Sequence, residues 1–214
     1  MQALFIHGMG RSPLSGWPLL RRLKAAGLVT SSFGYIVSLD DFATITARLV
    51  AKITRLAAQG DYVLIGHSLG GVLLRAAVNA LAPGIRQPQH VFLLGSPMRP
   101  SRLAQRLQQR LLYRLATRDC GRLLGSEERM QGVAPLSVPT TVIIGTRGIS
   151  ARHGPFSGEA NDGVVAASEV SASWASDEFH LPVVHTFLPS SQLVATVILQ
   201  RLALLGSDPP TASG

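Results

Sequence analysis

The chain has 214 residues, of which 46% are hydrophobic and only 15% charged, too apolar for a disordered chain and enough to bury the core of one large domain. The single cysteine, Cys120, excludes an intrachain disulfide, and no apolar run is long enough for a membrane span. A formal charge of +8 raises the question of an anionic partner.

The opening "MQALFIHGMG" has no basic segment, long apolar stretch or small-residue cleavage site, so no signal peptide and a cytoplasmic location are expected. "ALFIH" (3–7) reads as a buried strand. "LSGWPLLRRLKAAG" (14–27) reads as a helix stopped by Gly27, and "FGYIVSL" (33–39) as a strand. Asp40 or Asp41 caps a helix predicted over 42–60, with Gly60 as its stop. "YVLIGH" (62–67) is a strand, and 69–81 a helix closed by Pro83 and Gly84. Further strands are predicted over 90–96 and 140–146, and a last one over "HLPVVH" (180–185). A final amphipathic helix covers 190–206, and the polar, Pro-rich tail 207–214 is expected to be disordered. No internal repeat is present. Near-continuous apolar strands alternating with helices predict one α/β domain over 1–206, with a mostly parallel sheet of about six strands and helices on both faces. Ligands collect at the carboxyl ends of such strands, where His7, Ser68, Ser96 and Thr146 fall.

Ser68 lies in Gly66-His67-Ser68-Leu69-Gly70, the pattern G-x-S-x-G, between a predicted strand and a predicted helix. A nucleophile on such a sharp turn has strained backbone and closely packed neighbours, which the glycines permit. The following helix aims its N-terminal N–H groups at developing negative charge. The bland alternative is a Gly-rich turn that eases a helix against a sheet.

A serine nucleophile needs a base, and the base an orienting acid. His153, His180 and His185 follow the serine outside the helical region. His185 ends the last apolar run, on the functional edge, and is favoured; His180, at the start of that run, should lie on the opposite edge. Asp162, in the tight turn "NDGVV" (161–165), is the favoured acid, with Asp177 and Glu159 as alternatives. An oxyanion hole needs two backbone donors. Leu69 N–H, just after the nucleophile, is one, and Met9 N–H in the turn "HGMGRS" (7–12) is the other, with Gly8 and Gly10 allowing close approach of a substrate.

Together these segments resemble the α/β-hydrolase superfamily. "FIHGMG" resembles the oxyanion turn of small bacterial lipases and esterases, and "GHSLGG" their nucleophile elbow. "NDGVV" and "VVHTF" resemble the acid and histidine loops of the lipase-like branch that also contains the PGAP1-type hydrolases. The resemblance runs from about residue 3 to 205. It implies an α/β-hydrolase fold and carboxylic-ester hydrolysis through an acyl-enzyme on Ser68, with His185, Asp162 and the Met9 and Leu69 donors. It implies no metal and no organic cofactor. A thioesterase or acyltransferase would use the same groups, and a catalytically silent fold that binds a partner is the reading from another class. "LLGSPMRPSRLA" (93–104) departs from the T-P-H type of triplet in related lipases at Ser96 and Met98.

Arg102, Arg106, Arg110, Arg114 and Arg118 recur every four residues, the first four followed by a leucine at 103, 107, 111 and 115. On one helix this places a basic stripe beside a leucine stripe. Residues 99–129 hold eight arginines against three acids, so most of the net charge is local. Three readings compete: a solvated helix with leucines inward, a cap-like insertion over 99–135, and contact with anionic lipid or an acidic partner. No nucleic-acid partner is expected, since Tyr113 is the stripe's one aromatic residue and no recognition motif is present.

Overall fold

The structure is a computed structural model that describes residues 1–148 and 154–205; His153 and the tail 207–214 lie outside the described residues. Its elements in chain order are β1 Gln2–Ile6, α1 Trp17–Ala25, β2 Val29–Phe33, α2 Phe42–Ala57, β3 Tyr62–His67, α3 Leu69–Asn79, β4 His90–Leu94, α4 Arg102–Leu107, α5 Leu111–Gly125, α6 Glu127–Gln131, β5 Thr140–Gly145, α7 Ala167–Val170, β6 Asp177–Leu181 and α8 Gln192–Leu205. The six strands form one sheet in the order β2-β1-β3-β4-β5-β6, and every pairing is parallel.

Alternation along the strands divides the core in two. Leu4, Ile6, Leu64, Leu93 and Val142 face α2 and α3, whose Ile45, Leu49, Ile53 and Leu73 cover them. Ala3, Phe5, Ile65, Phe92 and Ile143 face the other way, under Leu19 and Leu23 of α1 and Val194 and Ile198 of α8. Because β3, β4 and β5 are buried along their whole length, they are apolar at nearly every position. The α2 start is fixed as predicted, with Asp41 Oδ1 accepting from Thr44 N at 2.7 Å.

Strand order reverses between β1 and β3, the two neighbours from which the chain runs outward in opposite directions. In open parallel sheets this is where the loops at the carboxyl ends of the strands part and ligands bind. Residues 7–12 leave β1 and Ser68 leaves β3 at that point.

Both edge strands differ from expectation. The strand before α2 is Val29–Phe33, and 34–39 is not strand. At the other edge the strand is Asp177–Leu181, and His185 opens a short 3-10 turn, His185–Ser190. An edge strand has one partner and a wetter face, so it does not need the apolar run that marks a central strand. The buried Tyr35 and Val37, and Val183, fill space from loops instead.

The arginine segment is not one helix. It breaks after Leu107 and restarts at Leu111, and Arg118 has φ 45°, ψ −125° inside α5. Past that break α5 is anchored by buried Cys120, Leu123 and Leu124. Before it, Leu111, Leu112 and Leu115 are 66%, 81% and 61% exposed, so the leucines-inward reading fails for this half. Arg102 is not part of an exposed stripe either: it bridges Glu159 at 2.7 Å and Glu169 at 3.3 Å.

Candidate active site

The turn from β3 into α3 is built as close packing dictates. Ser68 has φ 54°, ψ −125°, a strained conformation for a residue with a side chain. Three hydrogen bonds hold it: Ser68 N–H donates to Leu94 O at 2.9 Å, and Ser68 O accepts from Gly71 N at 2.9 Å and Ser96 Oγ at 2.8 Å. A Cβ on Gly66 would lie 2.5 Å from Gly71 Cα. One on Gly70 would collide with Ile6 O and lie 2.6 Å from His7 O. Only glycine lets the helix start pass between β1 and β3 at this distance.

The turn after β1 lies against the serine. A Cβ on Gly8 would sit 3.0 Å from Ser68 Cβ. His7 is buried and locks this turn. Its Nδ1–H donates to Gly8 O at 2.8 Å, its Nε2 accepts from Tyr35 N at 3.4 Å, and its ring stacks on Tyr35 at 4.3 Å. Tyr35 Oη–H donates in turn to His7 O at 2.7 Å. Burial pushes the His7 pKa down, which keeps the ring neutral with this tautomer. Among the described residues, the N–H groups of Met9 and Leu69 have no acceptor.

The third loop supplies a buried histidine–carboxylate pair. His185 Nδ1 and Asp162 Oδ2 are 2.6 Å apart, and both residues are buried. Asp162 Oδ1 accepts from Val164 N and Val165 N, each at 2.9 Å, and Asp162 O accepts from His185 N at 2.9 Å. The pair is thus fixed to the backbone on both sides. Gly95 packs against it: a side chain there would come within 3.0 Å of both Asp162 Oδ2 and His185 Nδ1. Ser68 Oγ makes no hydrogen bond among the described residues; such contacts often tighten only around substrate.

The alternatives are placed elsewhere. His180 lies beside Ile144 near the carboxyl end of β6, not on the opposite edge as expected, but its ring is exposed and held by Glu178 at 2.7 Å. Asp177 pairs with Arg201, and Glu159 with Arg102.

Sequence reading passed over His67, the x of G-x-S-x-G. It is fully buried, and its Nε2–H donates to His185 O at 3.0 Å, with the two rings 4.8 Å apart. Burial, reinforced by repulsion from His185, holds its pKa well below the usual histidine value. His67 therefore stays neutral and ties the elbow to the histidine loop. Its place inside the elbow was visible, but its partner 118 residues away was not. Among the described residues no cluster of three His, Cys, Asp or Glu is placed to hold a metal ion.

Three-dimensional comparison finds the same fold in other solved structures. The mature lipase BlEst2 of Bacillus licheniformis superposes with a TM-score of 0.75 at 18% identity, over 94% of this chain and 91% of that one. A metagenomic carboxyl esterase, MGS0156, gives 0.77 at 15%, over 98% and 76%. The RedJ thioesterase from the prodiginine pathway of Streptomyces coelicolor gives 0.64 at 17%, over 94% and 88%. At these identities the likeness establishes the fold alone. No curated protein matches the sequence. Residues 3–210 match the alpha/beta hydrolase family, and with the sheet order and the loops described above, the chain belongs to that family.

Proposed function

We propose that the protein is a serine hydrolase that cleaves carboxylic esters, an esterase or lipase, through an acyl-enzyme on Ser68. The observation that carries this reading is the 2.6 Å His185–Asp162 pair beside a serine held at φ 54°. His185 Nε2 takes the Ser68 proton as Oγ attacks the ester carbonyl. The N–H groups of Met9 and Leu69 hold the oxyanion. Asp162 keeps the His185 proton on Nδ1 and stabilises the imidazolium that forms. His185 then protonates the leaving alcohol, and water, deprotonated by His185, releases the acid and frees Ser68. The test is hydrolysis of p-nitrophenyl esters from acetate to palmitate, with Ser68→Ala as control. Turnover abolished by the substitution supports the reading, and wild-type turnover in Ser68→Ala overturns it. The fold shared with a thioesterase favours a second reading, in which the same groups cleave a thioester. Rates on paired oxygen esters and thioesters separate the two.

The segment 99–135 is a cap-like insertion whose outer surface meets an anionic bilayer. Exposed Leu111, Leu112 and Leu115 stand among exposed Arg106, Arg110, Arg114 and Arg118. Arg118 Nη1 donates to Ser38 O, which brings exposed Ile36 and Leu39 beside them. Asp119, the one acid between Arg106 and Arg122, is already paired with Arg129. Apolar side chains ringed by arginine suit insertion among anionic headgroups. No helix among the described residues is long and apolar enough to cross a membrane. Co-sedimentation with phosphatidylserine vesicles at low salt, lost in the Leu111→Ser/Leu112→Ser double variant, is the expected result. Failure of the wild type to bind there refutes it.

A further inference from the structure

A second site lies on the α2/α3 side of the sheet. Arg75 sits seven residues past Ser68 on α3, on the order of 10 Å along the helix axis. It is 3% exposed and has no carboxylate partner among the described residues. Its Nε and Nη2 donate to backbone carbonyls, Ala134 O at 3.3 Å and Val133 O, and its guanidinium lies 5.6 Å from the Trp174 ring centre. Nη1 is buried with no partner among the described residues. A buried charge left uncompensated costs several kcal/mol, and this one is felt: burial lowers the Arg75 pKa to about 10.

Beside Arg75 is a cavity of about 250 Å³, lined also by Arg99, Gln131, Ser171, Ser173 and Trp174. No Asp or Glu lines it. Arg99 forms no ion pair among the described residues, and its backbone N–H is pinned to Glu169 O at 3.3 Å. The Ser171 and Ser173 hydroxyls have no hydrogen-bond partner among the described residues. The nearby carboxylates are committed: Glu169 to Arg102 and Ala166 N, and Glu127 to the Gln131 amide. Buried Arg75 and exposed Arg99, Ser171 and Ser173 thus line a space that has no Asp or Glu in its wall. The volume is below the usual range for organic ligands, so a small group fits it. Guanidinium forks and hydroxyls match the oxygens of a phosphate.

We propose that this cavity is an oxyanion site that takes a phosphate group, held by Arg99 with help from Ser171 and Ser173 beside the buried positive charge of Arg75. It goes beyond ester cleavage at Ser68 and does not depend on it. The alternative is that Arg75 only clamps the 133–134 loop to α3. Isothermal titration of the wild-type protein with inorganic phosphate, at ionic strength matched with sodium chloride, separates the two. Because Arg75 replacements disturb the clamp, Arg99 carries the test. Saturable one-site binding is expected, weakened tenfold or more by Arg99→Ala, abolished by Arg99→Glu, and unchanged by Arg55→Ala, which removes the same charge from exposed α2 surface that does not line the cavity. Titration of a phosphomonoester such as glycerol phosphate then tells a free phosphate site from one for a phosphorylated ligand: binding tighter than phosphate assigns the latter, and equal or weaker binding the former. The proposal is overturned if the wild type shows no saturable binding at millimolar phosphate, or if Arg99→Ala binds as the wild type does.

Discussion

Replacing Asp162 by Asn isolates the tautomer of His185 from the shape of the site. Asp162 Oδ1 accepts two backbone N–H groups, from Val164 and Val165, and Oδ2 faces His185 Nδ1. In Asp162→Asn the amide oxygen must stay at the Oδ1 position. The flipped amide would point NH2 at two donors, losing two hydrogen bonds and leaving two buried N–H groups unsatisfied, at roughly 1 kcal/mol or more for each group. The amide NH2 therefore faces His185, which must accept at Nδ1 and carry its proton on Nε2. That nitrogen can no longer take the Ser68 proton. The wrong tautomer in a serine triad lowers kcat by about 10⁴, or about 5.4 kcal/mol of barrier. The turn keeps its two backbone bonds, so the melting temperature falls by only a few degrees, on the scale of 1–2 kcal/mol for a domain of this size. The assay is kcat on the best p-nitrophenyl ester beside a thermal melt. Asp177→Asn and Glu159→Gln serve as controls, since both acids are engaged with arginines elsewhere. Turnover in Asp162→Asn within tenfold of wild type, with the fold intact, would refute the assignment of Asp162 and the argument from its Oδ1 partners.

Three further outcomes are expected. Gly70→Ala places a methyl against Ile6 O and His7 O and should destabilise by about 3 kcal/mol or more, because backbone cannot repack as side chains do. Gly10→Ala, at φ 68° with nothing near its Cβ, should cost only about 1 kcal/mol of backbone strain, and urea melts of both would expose an error if the two cost the same. His67→Phe removes the donor to His185 O; kcat should fall about tenfold, the equivalent of one buried hydrogen bond, with KM unchanged and fluorophosphonate labelling of Ser68 slowed in step. Undiminished labelling would reduce His67 to a packing role. His7, His67 and His90 are all held below the usual histidine value, chiefly by burial, His90 down to about 4. The unfolded chain therefore binds protons near pH 6.5 that the folded chain refuses. Their stabilising effect is full above pH 6.5 and is lost as pH falls toward the folded values, by at most about 1.4 kcal/mol per pH unit for each ring. A urea midpoint that stays constant from pH 7.5 to 5.5 would contradict this.

The turns of the candidate site and the middle of the sheet were legible in the sequence; the edges of the sheet were not. Each of these turns is written within a few consecutive residues, because the constraint is local. Gly66 and Gly70 are required by backbone within 3 Å, and Asp162 by the N–H groups two and three residues on. The central strands were equally plain, since burial on both faces demands apolar side chains throughout. The edges were not. "VTSSF" and "DEFHL" have no apolar run, and the nearby apolar segments at 34–39 and 182–185 drew the assignment away from them. The arginine segment misled for a related reason. A four-residue repeat fits a helix at every step, yet says nothing of where the helix breaks or which half is covered. What was wholly hidden is long-range: Gly95 under the His185–Asp162 pair, His67 on His185 O, and Ser96 on Ser68 O.

Backbone strain separates from function in this fold only when its surroundings are counted. Ser68 and Arg118 share nearly the same dihedrals, φ 54° and 45° with ψ −125° in both. Such a conformation costs on the order of 1–3 kcal/mol and persists where the structure around it over-determines it. At Ser68 it is over-determined: three hydrogen bonds fix the peptide groups, and the glycines at 66 and 70 let β1, β3 and α3 close around it. Any relaxation there would have to move the sheet. At Arg118 the side chain reaches Ser38 O, and the residue marks the boundary between the exposed and the anchored half of α5. The same angles are therefore a rigid feature at the β3–α3 turn and a seam within α5. In the proposed hydrolase the strain at Ser68 serves chemistry, because the Met9 and Leu69 N–H groups are free and Gly95, next to the acceptor of Ser68 N–H, packs on the His185–Asp162 pair; Arg118 has neither among the described residues.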